Sequence, residues 1–448
     1  METTTSESGR TGVTVLPGGS VSGPLYPPGS KSLAQRYLLA AFLAEGPTRL
    51  AGVPECLDVE AMLGALRSLA GSGWGQDGNF VGGAWPLQGS PRKSLSLGES
   101  GTCARLLTAC VALGGQGRGS VYFRPEGTLV SRTSPALGES LVAAGANLGP
   151  RFKTEAPPTL GWPLTVEPVD CPPCLTIRNP SSSQEVSALL FALAARGGGA
   201  VAVEGVIPSE PYVRMTESVL EEFGVQVDEV DGLFTVTGAL MAPAHTITIE
   251  PDASAAAVLL AAGCISGGTV RIPGLTSDSV QGDLRVIEYL QAFGCRGAVD
   301  AEGAMAGGVP SRGAKIDLSG EPDLAPVMAV VGAMACLRSG EPSVLEGLGT
   351  LEGKESPRLS GLAEVLRCLG WQVRTGPDWL SVDAAPTDFH GGAPPVPLDS
   401  KGDHRIAFTL SLLGVAHIGV RIVGADCVGK SYPNFWADLA GAGANIEL

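Results

Sequence analysis

The sequence predicts an α/β protein built from six copies of one strand-and-two-helix unit, grouped as two similar domains of three units each. Apolar helices recur along the 448 residues, and each begins at a small or polar residue, near Ser30, Gly101, Ser182, Asp252, Asp323 and Asp403. Successive starts are 71, 81, 70, 71 and 80 residues apart, so the first three and the last three share one rhythm. A repeat this long makes each unit a small subdomain rather than one turn of a solenoid.

A second, amphipathic helix follows the start of each first helix by about 28 to 33 residues, over Asp58–Leu69, Ser134–Ala146, Tyr212–Phe223, Asp283–Phe293, Ser356–Leu369 and Ser431–Ala442. Short alternating segments bounded by Gly and Pro, such as Leu233–Thr237 and Thr246–Ile249, are predicted to be strands. The first helices, as in Ser187–Ala195 and Leu324–Leu337, are apolar nearly all round, so they are expected to be buried on several sides. Their polar N-termini are then expected to face a cleft between the two domains.

Composition limits the kinds of partner. With 44% hydrophobic and 17% charged residues, the chain is globular and has ample core. A net charge of −15 argues against a nucleic-acid or anionic-membrane surface, although a cleft can still concentrate cations for small anions. The ten cysteines lack a disulfide-framework spacing, and we find neither a secretory signal nor a membrane-spanning run, so a cytoplasmic location is predicted. Residues 1–10, rich in Thr, Ser and Glu, are predicted to be a disordered tail.

The stretch Pro28–Arg36 has the features of an anion site. A Pro-Gly turn leads through small hydroxyl residues into the apolar run Tyr37–Ala44, which predicts a helix capped by Ser30 or Ser32. Free backbone N–H groups, the helix dipole, two hydroxyls and a lysine together make a cradle for a phosphate or a carboxylate. An ordinary capped helix would explain this stretch alone, but the chain repeats the arrangement.

The other helix starts are also rich in polar groups, at Gly98–Thr102, Ser181–Gln184, Asp252–Ser254, Asp323 and Asp403–Arg405. Capping is sufficient to explain Asp252. It does not explain Lys31 or Arg405, because a cation at a helix N-terminus opposes the dipole, and a bound anion explains both better. Three more cations precede second helices, at Lys354, Arg358 and Lys430. A surface salt bridge could explain any one of these cations, but not all of them beside helix starts.

In these stretches the chain resembles the enolpyruvylshikimate-phosphate synthase family (3-phosphoshikimate 1-carboxyvinyltransferases) of the enolpyruvyl transferases. The matching stretches are Pro28–Arg36, Leu97–Arg105, Ser182–Gln184, Ser209–Tyr212, Gln281–Asp283, Pro322–Asp323, Lys354–Arg358, Asp403–Arg405 and Lys430. The resemblance implies a two-domain inverse α/β barrel of six βαβαββ units, three per domain, with the active-site cleft between the domains. It places domain I at residues 1–25 plus 250–448 and domain II at residues 26–249.

The resemblance also implies the reaction. The enolpyruvyl group of phosphoenolpyruvate would pass to the 5-hydroxyl of shikimate-3-phosphate through a tetrahedral intermediate, releasing phosphate, as a step of aromatic amino-acid biosynthesis. Asp323 would be the base and Glu355 the proton donor to C3, with Lys31 as an alternative donor. The implied protein is a monomer that needs no metal and no organic cofactor. Its partners would be the two small anionic substrates.

Family motifs assign residues to each substrate by position. For shikimate-3-phosphate the implied contacts are Lys31, Ser182, Ser183 and Ser209 at the phosphate, Ser32 and Arg36 at the carboxylate, Tyr212 along the ring, and Asp323 and Lys354 at the hydroxyls. For phosphoenolpyruvate they are Arg358 and Arg405 at the carboxylate, and Lys31, Gly101, Gln184 and Lys430 at the phosphate. The planar fork of arginine suits a carboxylate.

Departures from the family pattern concentrate on the phosphoenolpyruvate side. Glu99 stands where the family has Asn, and Thr128 aligns with the arginine that contacts the phosphate, with Arg132 as the second arginine of that stretch. Loss of one charged hydrogen bond to a buried phosphate costs about 1.5–3 kcal/mol, which Arg124 or Lys93 could offset. Ser356-Pro357 replaces Thr-Asp, and Thr350 replaces an Asn at the shikimate phosphate.

These departures lead to one expectation and leave two alternatives. Glyphosate, which resembles phosphoenolpyruvate bound at that subsite, is expected to inhibit weakly. The first alternative function is that of an enolpyruvyl-transferase-like protein with a changed donor or acceptor. The second is a non-catalytic protein that binds shikimate-3-phosphate, although such a protein has little use for both an acid and a base.

Overall fold

The computed structural model describes residues 12–70, 74–75, 78–82, 93–115, 119–149, 159–387, 394–416 and 418–447. The tail predicted at residues 1–10 lies outside these ranges. The chain divides into two compact units: unit 1 is Met1–Pro28 with Pro251–Leu448, and unit 2 is Gly29–Glu250. These bounds differ by one to three residues from the domain limits expected from the sequence.

Twelve α-helices lie in the described part of the chain, six in each unit. Unit 2 contains α1 (Lys31–Leu43), α2 (Leu57–Ala70), α3 (Gly101–Ala112), α4 (Pro135–Ala143), α5 (Ser183–Ala195) and α6 (Pro211–Glu222). Unit 1 contains α7 (Ala253–Ser266), α8 (Val286–Ala292), α9 (Ala325–Ser339), α10 (Arg358–Cys368), α11 (His404–Ala416) and α12 (Phe435–Gly441). The six first helices begin within two residues of the predicted positions, so the predicted six-fold repetition of an α/β unit is confirmed.

The second helix of the last repeat was predicted wrongly. The sequence suggests one helix over Ser431–Ala442, whereas the structure has a 3₁₀ turn at Ala425–Lys430 and then α12, which begins at Phe435. Pro433 explains the interruption, because proline lacks an N–H donor and disfavours a helical conformation in the residue before it. Pro357 similarly delays α10 until Arg358.

Strands fill the intervals between the helices. Unit 1 begins with β1 (Gly12–Leu16) and β2 (Gly23–Pro24). Unit 2 contributes β3 (Pro47–Ala51), β4 (Asn79–Val81), β5 (Lys93–Gly98), β6 (Val121–Pro125), β7 (Asn147–Leu148), β8 (Leu164–Glu167), β9 (Cys174–Arg178), β10 (Gly198–Glu204), β11 (Gln226–Val230), β12 (Leu233–Thr237) and β13 (Thr246–Thr248). Unit 1 then resumes with β14 (Thr269–Pro273), β15 (Arg296–Asp300), β16 (Gly303–Gly307), β17 (Lys315–Asp317), β18 (Ser343–Glu346), β19 (Gln372–Thr375), β20 (Leu380–Ala384), β21 (Val396–Asp399), β22 (Val420–Val423) and β23 (Asn445–Glu447).

The described strands form six small sheets, and all six share one pairing pattern. In each, one strand pairs in parallel on one side and antiparallel on the other, as β10 does with β9 and β12. The same arrangement recurs at β3, β6, β14, β18 and β22. In four sheets the two parallel strands are joined by the first helix of the same repeat, namely α3, α5, α9 or α11. This is the βαβ connection expected for parallel neighbours. The other two use a strand from elsewhere in the chain: β13 beside β3, and β2 beside β14.

Units 1 and 2 each have their own apolar core. Each core is built around the first helices of the three repeats in that unit, α1, α3 and α5 in unit 2 and α7, α9 and α11 in unit 1. Every residue of Ala253–Ile265 in α7 and of Ala325–Cys336 in α9 is buried, and α3 and α5 are buried almost as completely. Because such helices expose little besides their ends, the polar residues at their N-termini are the ones free to do chemistry. No helix in the described ranges has the length and hydropathy that a membrane span requires.

Candidate active site

Two glutamine side chains tie together the N-termini of α1, α3 and α5 in unit 2. The Gln35 amide donates to the Lys31 carbonyl at 3.3 Å, and the Ser100 hydroxyl donates to Gln35 Oε1 at 2.8 Å. The Gln184 amide in turn donates to Thr102 Oγ1 at 3.0 Å. The polar first turns of three buried helices are therefore held in one place.

Serine hydroxyls cap all three of these helices. Ser30 and Ser100 each accept the backbone N–H three residues later, at 3.4 and 3.3 Å, and Ser182 accepts the N–H of Gln184 at 3.2 Å. Of the two candidates for α1, Ser30 is the cap. In unit 1, Asp252 caps α7 through Oδ1. A cap satisfies one of the unpaired N–H groups of a first turn and leaves others directed at a possible anion.

Lys31 is the first residue of α1, where its charge opposes the helix dipole. Its ammonium lies 2.8 Å from Asp58 Oδ2 on α2, and both side chains are largely buried. The carboxylate offsets part of the unfavourable charge at the start of α1.

Arg36 is buried to 1% exposure without a carboxylate partner in the described part of the chain. It donates to Thr216 Oγ1 at 2.8 Å, to the Ser32 carbonyl at 2.9 Å and to the Tyr212 carbonyl at 3.2 Å, all of which are neutral. Burial therefore lowers the pKa of Arg36 to about 10. A cation in this state gains stability from an anion brought by a ligand.

Two further arginines lie against Gly101, the first residue of α3. A Cβ at this position would be 2.8 Å from Arg105 Nη1 and 2.9 Å from Arg132 Nη2, so only glycine leaves the guanidinium groups where they are. Arg105 is held by Ser134 Oγ at 2.9 Å and by Gln184 Oε1 at 3.0 Å. Arg132 Nε is buried and has no hydrogen-bond acceptor among the described residues. Two cations at the positive end of a helix dipole favour an anion there.

Thr128 does not lie with these arginines. Its hydroxyl donates to Glu99 Oε2 at 3.0 Å, so the two departures from the family pattern contact each other. The arginine of this turn that reaches Gly101 is Arg132, four residues further on. Of the two positions in this stretch, Arg132 is therefore the one that lies beside the start of α3, and the assignment of a phosphate ligand here stays a prediction.

The proposed compensating cations differ in what they contact. Lys93 donates to the Ser68 and Leu69 carbonyls at 3.2 and 3.1 Å, so it caps the C-terminus of α2. Arg124 is exposed on β6. Arg132 supplies a cation beside Gly101, and weak inhibition by glyphosate stays a prediction.

In unit 1, Arg358 is surrounded by carboxylates. It is 1% exposed and grips Asp403 with Nε at 2.8 Å and Nη2 at 3.1 Å. Nη1 donates to Asp323 at 3.0 Å, and Nη2 also donates to Glu355. Four of its five N–H groups are thus occupied within the protein.

Asp323 is the carboxylate that the unit 1 cations share. Besides Arg358, Lys354 Nζ lies 3.1 Å from Oδ1 and Arg405 Nη2 lies 3.7 Å from Oδ2. Burial alone would raise the pKa of Asp323, but these three cations reverse that effect and hold the pKa well below its ordinary value. Asp323 is therefore an anion at neutral pH, and it precedes α9 within a 3₁₀ turn, Pro322–Leu324.

Arg405 is less fully engaged than Arg358. It donates to the Ser254 carbonyl at 3.2 Å, while its Nε is buried and has no acceptor among the described residues. Its guanidinium therefore retains more capacity for a ligand carboxylate. Lys430 Nζ lies 3.2 Å from Glu355 Oε1, which completes the cluster formed by Asp323, Lys354, Glu355, Arg358 and Arg405.

Asp283 is a buried carboxyl group to which sequence analysis gave no role. The Ser254 hydroxyl donates to it, and Ser254 is also the residue whose carbonyl accepts Arg405. Burial raises the pKa of Asp283 to about 7, and Asp323 and Asp252 raise it while Arg405 lowers it. The only signal in the sequence was the short polar motif Gln281–Asp283 ahead of an apolar helix.

The remaining predicted contacts lie at helix starts as expected. Ser183 is buried at the first position of α5, and Ser209 precedes α6 in the left-handed conformation with φ of 55°. Its carbonyl accepts the Tyr212 N–H at 3.1 Å. Thr350 Oγ1 in unit 1 is buried and has no hydrogen-bond partner among the described residues.

Comparison with known proteins identifies the family. The family profile of EPSP synthase (3-phosphoshikimate 1-carboxyvinyltransferase) matches residues 15–439. The chain belongs to the EPSP synthase family. It is 34% identical over 449 residues to the 3-phosphoshikimate 1-carboxyvinyltransferase of Laribacter hongkongensis, covering 95% of this chain and 98% of that one. It is 36% identical over 439 residues to the enzyme of the same name from Methanopyrus kandleri, covering 95% and 97%.

Solved structures show the same fold. The EPSP synthase of Acinetobacter baumannii superimposes with a TM-score of 0.74 at 24% identity, covering 98% of this chain and 99% of that one. The enolpyruvyl transferase NikO from Streptomyces tendae gives a TM-score of 0.69 at 18% identity, with 98% and 99% covered. The two-domain α/β architecture implied by the family resemblance is therefore confirmed.

Proposed function

We propose that this chain transfers the enolpyruvyl group of phosphoenolpyruvate to the 5-hydroxyl of shikimate-3-phosphate and releases phosphate. The observation that carries the assignment of chemistry is the environment of Asp323. A partly buried carboxylate kept anionic by Lys354, Arg358 and Arg405 combines a base with cations that suit anionic substrates. Membership of the EPSP synthase family supports the reaction and the substrates.

Residues of unit 2 supply most of the proposed shikimate-3-phosphate contacts. Arg36, which is buried and has no carboxylate partner in the part of the chain that the structure describes, suits the substrate carboxylate together with Ser32. The capped start of α5 offers backbone N–H groups and hydroxyls for the phosphate. The proposed phosphate ligands there are Lys31, Ser182, Ser183 and Ser209, with Tyr212 along the ring. In unit 1, Lys354 and Asp323 are proposed to contact the hydroxyl groups.

For phosphoenolpyruvate, Arg405 is the proposed principal carboxylate ligand. Its Nε has no acceptor among the described residues, whereas Arg358 has one N–H to spare and also orients Asp323 and Glu355. The proposed ligands of the phosphate are Lys31, Gly101, Gln184 and Lys430, to which we add Arg132 in place of Thr128.

The chemistry is an addition followed by an elimination. Asp323 accepts the proton of the 5-hydroxyl as its oxygen bonds to C2 of phosphoenolpyruvate, while C3 takes a proton from Glu355 or Lys31. The resulting tetrahedral intermediate then loses phosphate as the C2–O bond to it breaks, and a proton leaves C3. Substrate anions offset the charge of the arginines, and this raises the basicity of Asp323 when it is needed. Cations around the departing phosphate stabilise the developing charge.

Phosphate release from the purified protein given both substrates is the direct test. We expect turnover of about 1–10³ per second, reduced at least a hundredfold by Lys31→Met. Lys315→Met is the matched control, because Lys315 also pairs with a carboxylate, Glu346 at 2.8 Å, but is exposed. No release by the wild-type protein would overturn the proposal. Binding of shikimate-3-phosphate without release would then indicate a non-catalytic homologue, and release with another donor or acceptor would indicate a changed substrate.

Two cellular properties complete the proposal. All ten cysteines are unbonded, which fits a reducing compartment such as the cytoplasm. We also propose that the chain works as a monomer, since the proposed contacts all come from one chain. Sedimentation in the presence of both substrates tests this expectation, and a stable dimer would contradict it.

A further inference from the structure

We propose that Thr128 and Gly127 are positioning residues that hold the Glu99 carboxylate away from the anion site formed by Gly101, Arg105 and Arg132. The inference rests on the proposed function, because it assigns that anion site to the phosphate of phosphoenolpyruvate. It also explains how a carboxylate is accommodated immediately before the N-terminus of α3.

The short turn Gly127–Ser131 runs alongside residues 98–101. The N–H of Glu126 donates to the Gly98 carbonyl at 2.8 Å, which fixes one end of this pairing. In the middle, the Thr128 hydroxyl donates to Glu99 Oε2 at 3.0 Å. At the other end, the guanidinium of Arg132 lies against Gly101. This turn and the residue that follows it therefore place the Thr128 hydroxyl at Glu99 and the Arg132 guanidinium at the anion site.

Without such an arrangement Glu99 would compete with the substrate. It stands one residue before the cap Ser100 and two before Gly101, against which two guanidinium groups lie, and both these groups and the helix N-terminus attract a carboxylate. Yet among the residues that the structure describes, no carboxylate lies within ion-pair distance of Arg132, whose Nε has no acceptor. The carboxylate is directed to Thr128 instead, which leaves the guanidinium for a ligand.

Gly127 provides the space that this position of Glu99 requires. A Cβ at residue 127 would collide with the Glu99 carboxyl group, and the backbone there is left-handed with φ of 47°. Both observations favour glycine. The glycine and the threonine hydroxyl thus act together on the same carboxylate.

Steady-state kinetics of Thr128→Val tests the proposal, because valine keeps the shape of threonine and removes the hydroxyl. We expect the KM for phosphoenolpyruvate to rise roughly tenfold, since the released carboxylate can now occupy the anion site. The kcat and the KM for shikimate-3-phosphate should stay near their wild-type values. Inorganic phosphate, which uses the same subsite as a product, should inhibit more weakly by a similar factor.

The double variant Glu99→Gln with Thr128→Val separates positioning from direct contact. If Thr128 acts through Glu99, removal of the charge abolishes the effect of the valine, and the KM for phosphoenolpyruvate returns to that of Glu99→Gln alone. Thr128→Ser keeps the hydroxyl and should resemble the wild type. An unchanged KM in Thr128→Val overturns the proposal, and so does a rise that persists in the double variant. Absence of phosphate release by the wild-type protein instead overturns the proposed function.

Discussion

Arg36 in unit 2 and Arg358 in unit 1 are equally buried but have opposite electrostatic surroundings. Each is 1% exposed. Arg358 donates to three carboxylates, Asp323, Glu355 and Asp403. Among the described residues, Arg36 donates to one hydroxyl and two backbone carbonyls.

The pKa values of the two arginines move in opposite directions as a result. Burial lowers the pKa of both groups, but around Arg358 the carboxylates more than compensate and raise it above its ordinary value. The charge of Arg358 is therefore compensated before any ligand arrives, and we expect Arg358 to serve mainly to orient Asp323 and Glu355. Arg36 keeps an uncompensated charge, which makes it the better candidate for a substrate anion.

Replacing Arg358 should have the largest effect. Arg358→Met leaves three carboxylates without their shared cation, one of them the fully buried Asp403, and removal of one partner from a buried ion pair typically costs 3–5 kcal/mol. We expect a loss of that order in the free energy of unfolding, measured by urea denaturation, together with loss of phosphate release.

The matched control for this variant is Arg374→Met. Arg374 also grips a carboxylate, Asp383, but it is 71% exposed, so its replacement should change the free energy of unfolding by under about 1 kcal/mol. Similar losses in the two variants would mean that the Arg358 cluster is no more than a set of ordinary ion pairs. The carboxylates around Arg358 would then not distinguish it from Arg36 in their effect on stability.

Asp283 gives the next largest expected effect, and it depends on pH. Its pKa is raised to about 7 in the folded protein, chiefly by burial, so the fold binds this proton more tightly than the unfolded chain does. The stability that the group contributes is fully present below its ordinary pKa of about 3.9 and is lost as pH rises towards 7. Asp283→Asn removes this loss, so from pH 4 to pH 8 the free energy of unfolding of the variant should rise relative to that of the wild type by about 4 kcal/mol.

Urea denaturation of both proteins at the two pH values measures this difference. Asp323→Asn is the informative control, because the pKa of Asp323 is lowered and its contribution is instead lost as pH falls below its ordinary value. Between pH 4 and pH 8 that contribution is nearly constant, so Asp323→Asn should leave the pH dependence of the free energy of unfolding close to that of the wild type. If the free energies of unfolding of Asp283→Asn and wild type differ by the same amount at both pH values, the pKa of Asp283 is not raised in the fold.

The sequence predicted the parts of this molecule that depend on local interactions. Helix starts at Ser30, Ser182 and Asp252 follow from side chains that cap their own helices, and the burial of α7 and α9 follows from apolar residues on all sides. The interruption before α12 could also have been predicted, since Pro433 is visible in the sequence.

Features that depend on distant contacts were not predicted. An alignment places Thr128 and Arg132 in one stretch, but only the path of the turn decides that Arg132 meets Gly101 and Thr128 meets Glu99. The raised pKa of Asp283 arises from burial among groups that the sequence keeps tens of residues apart, including Asp323. The same holds for the neutral surroundings of Arg36, which come from Thr216 and Tyr212.

Replacing Arg36 should affect binding more than folding. Arg36→Met keeps an unbranched chain of similar length and removes a buried charge that has no anion among the described residues. The lost hydrogen bonds and the removed desolvation penalty oppose each other, so the free energy of unfolding should change by at most about 1 kcal/mol. The affinity for shikimate-3-phosphate should fall about 10–100-fold, because charged hydrogen bonds to the substrate are worth roughly 1.5–3 kcal/mol. Titration followed by tryptophan fluorescence gives the affinity.

Arg36→Lys sharpens this last comparison. A lysine keeps the charge but loses the fork that reaches the Thr216 hydroxyl and the Ser32 carbonyl together, so it should recover only part of the affinity. If Arg36→Met instead unfolds the protein as strongly as Arg358→Met, the neutral acceptors around Arg36 stabilise its charge as well as three carboxylates stabilise that of Arg358. The charge of Arg36 would then be compensated within the protein. The carboxylate of shikimate-3-phosphate would have to be assigned to another cation.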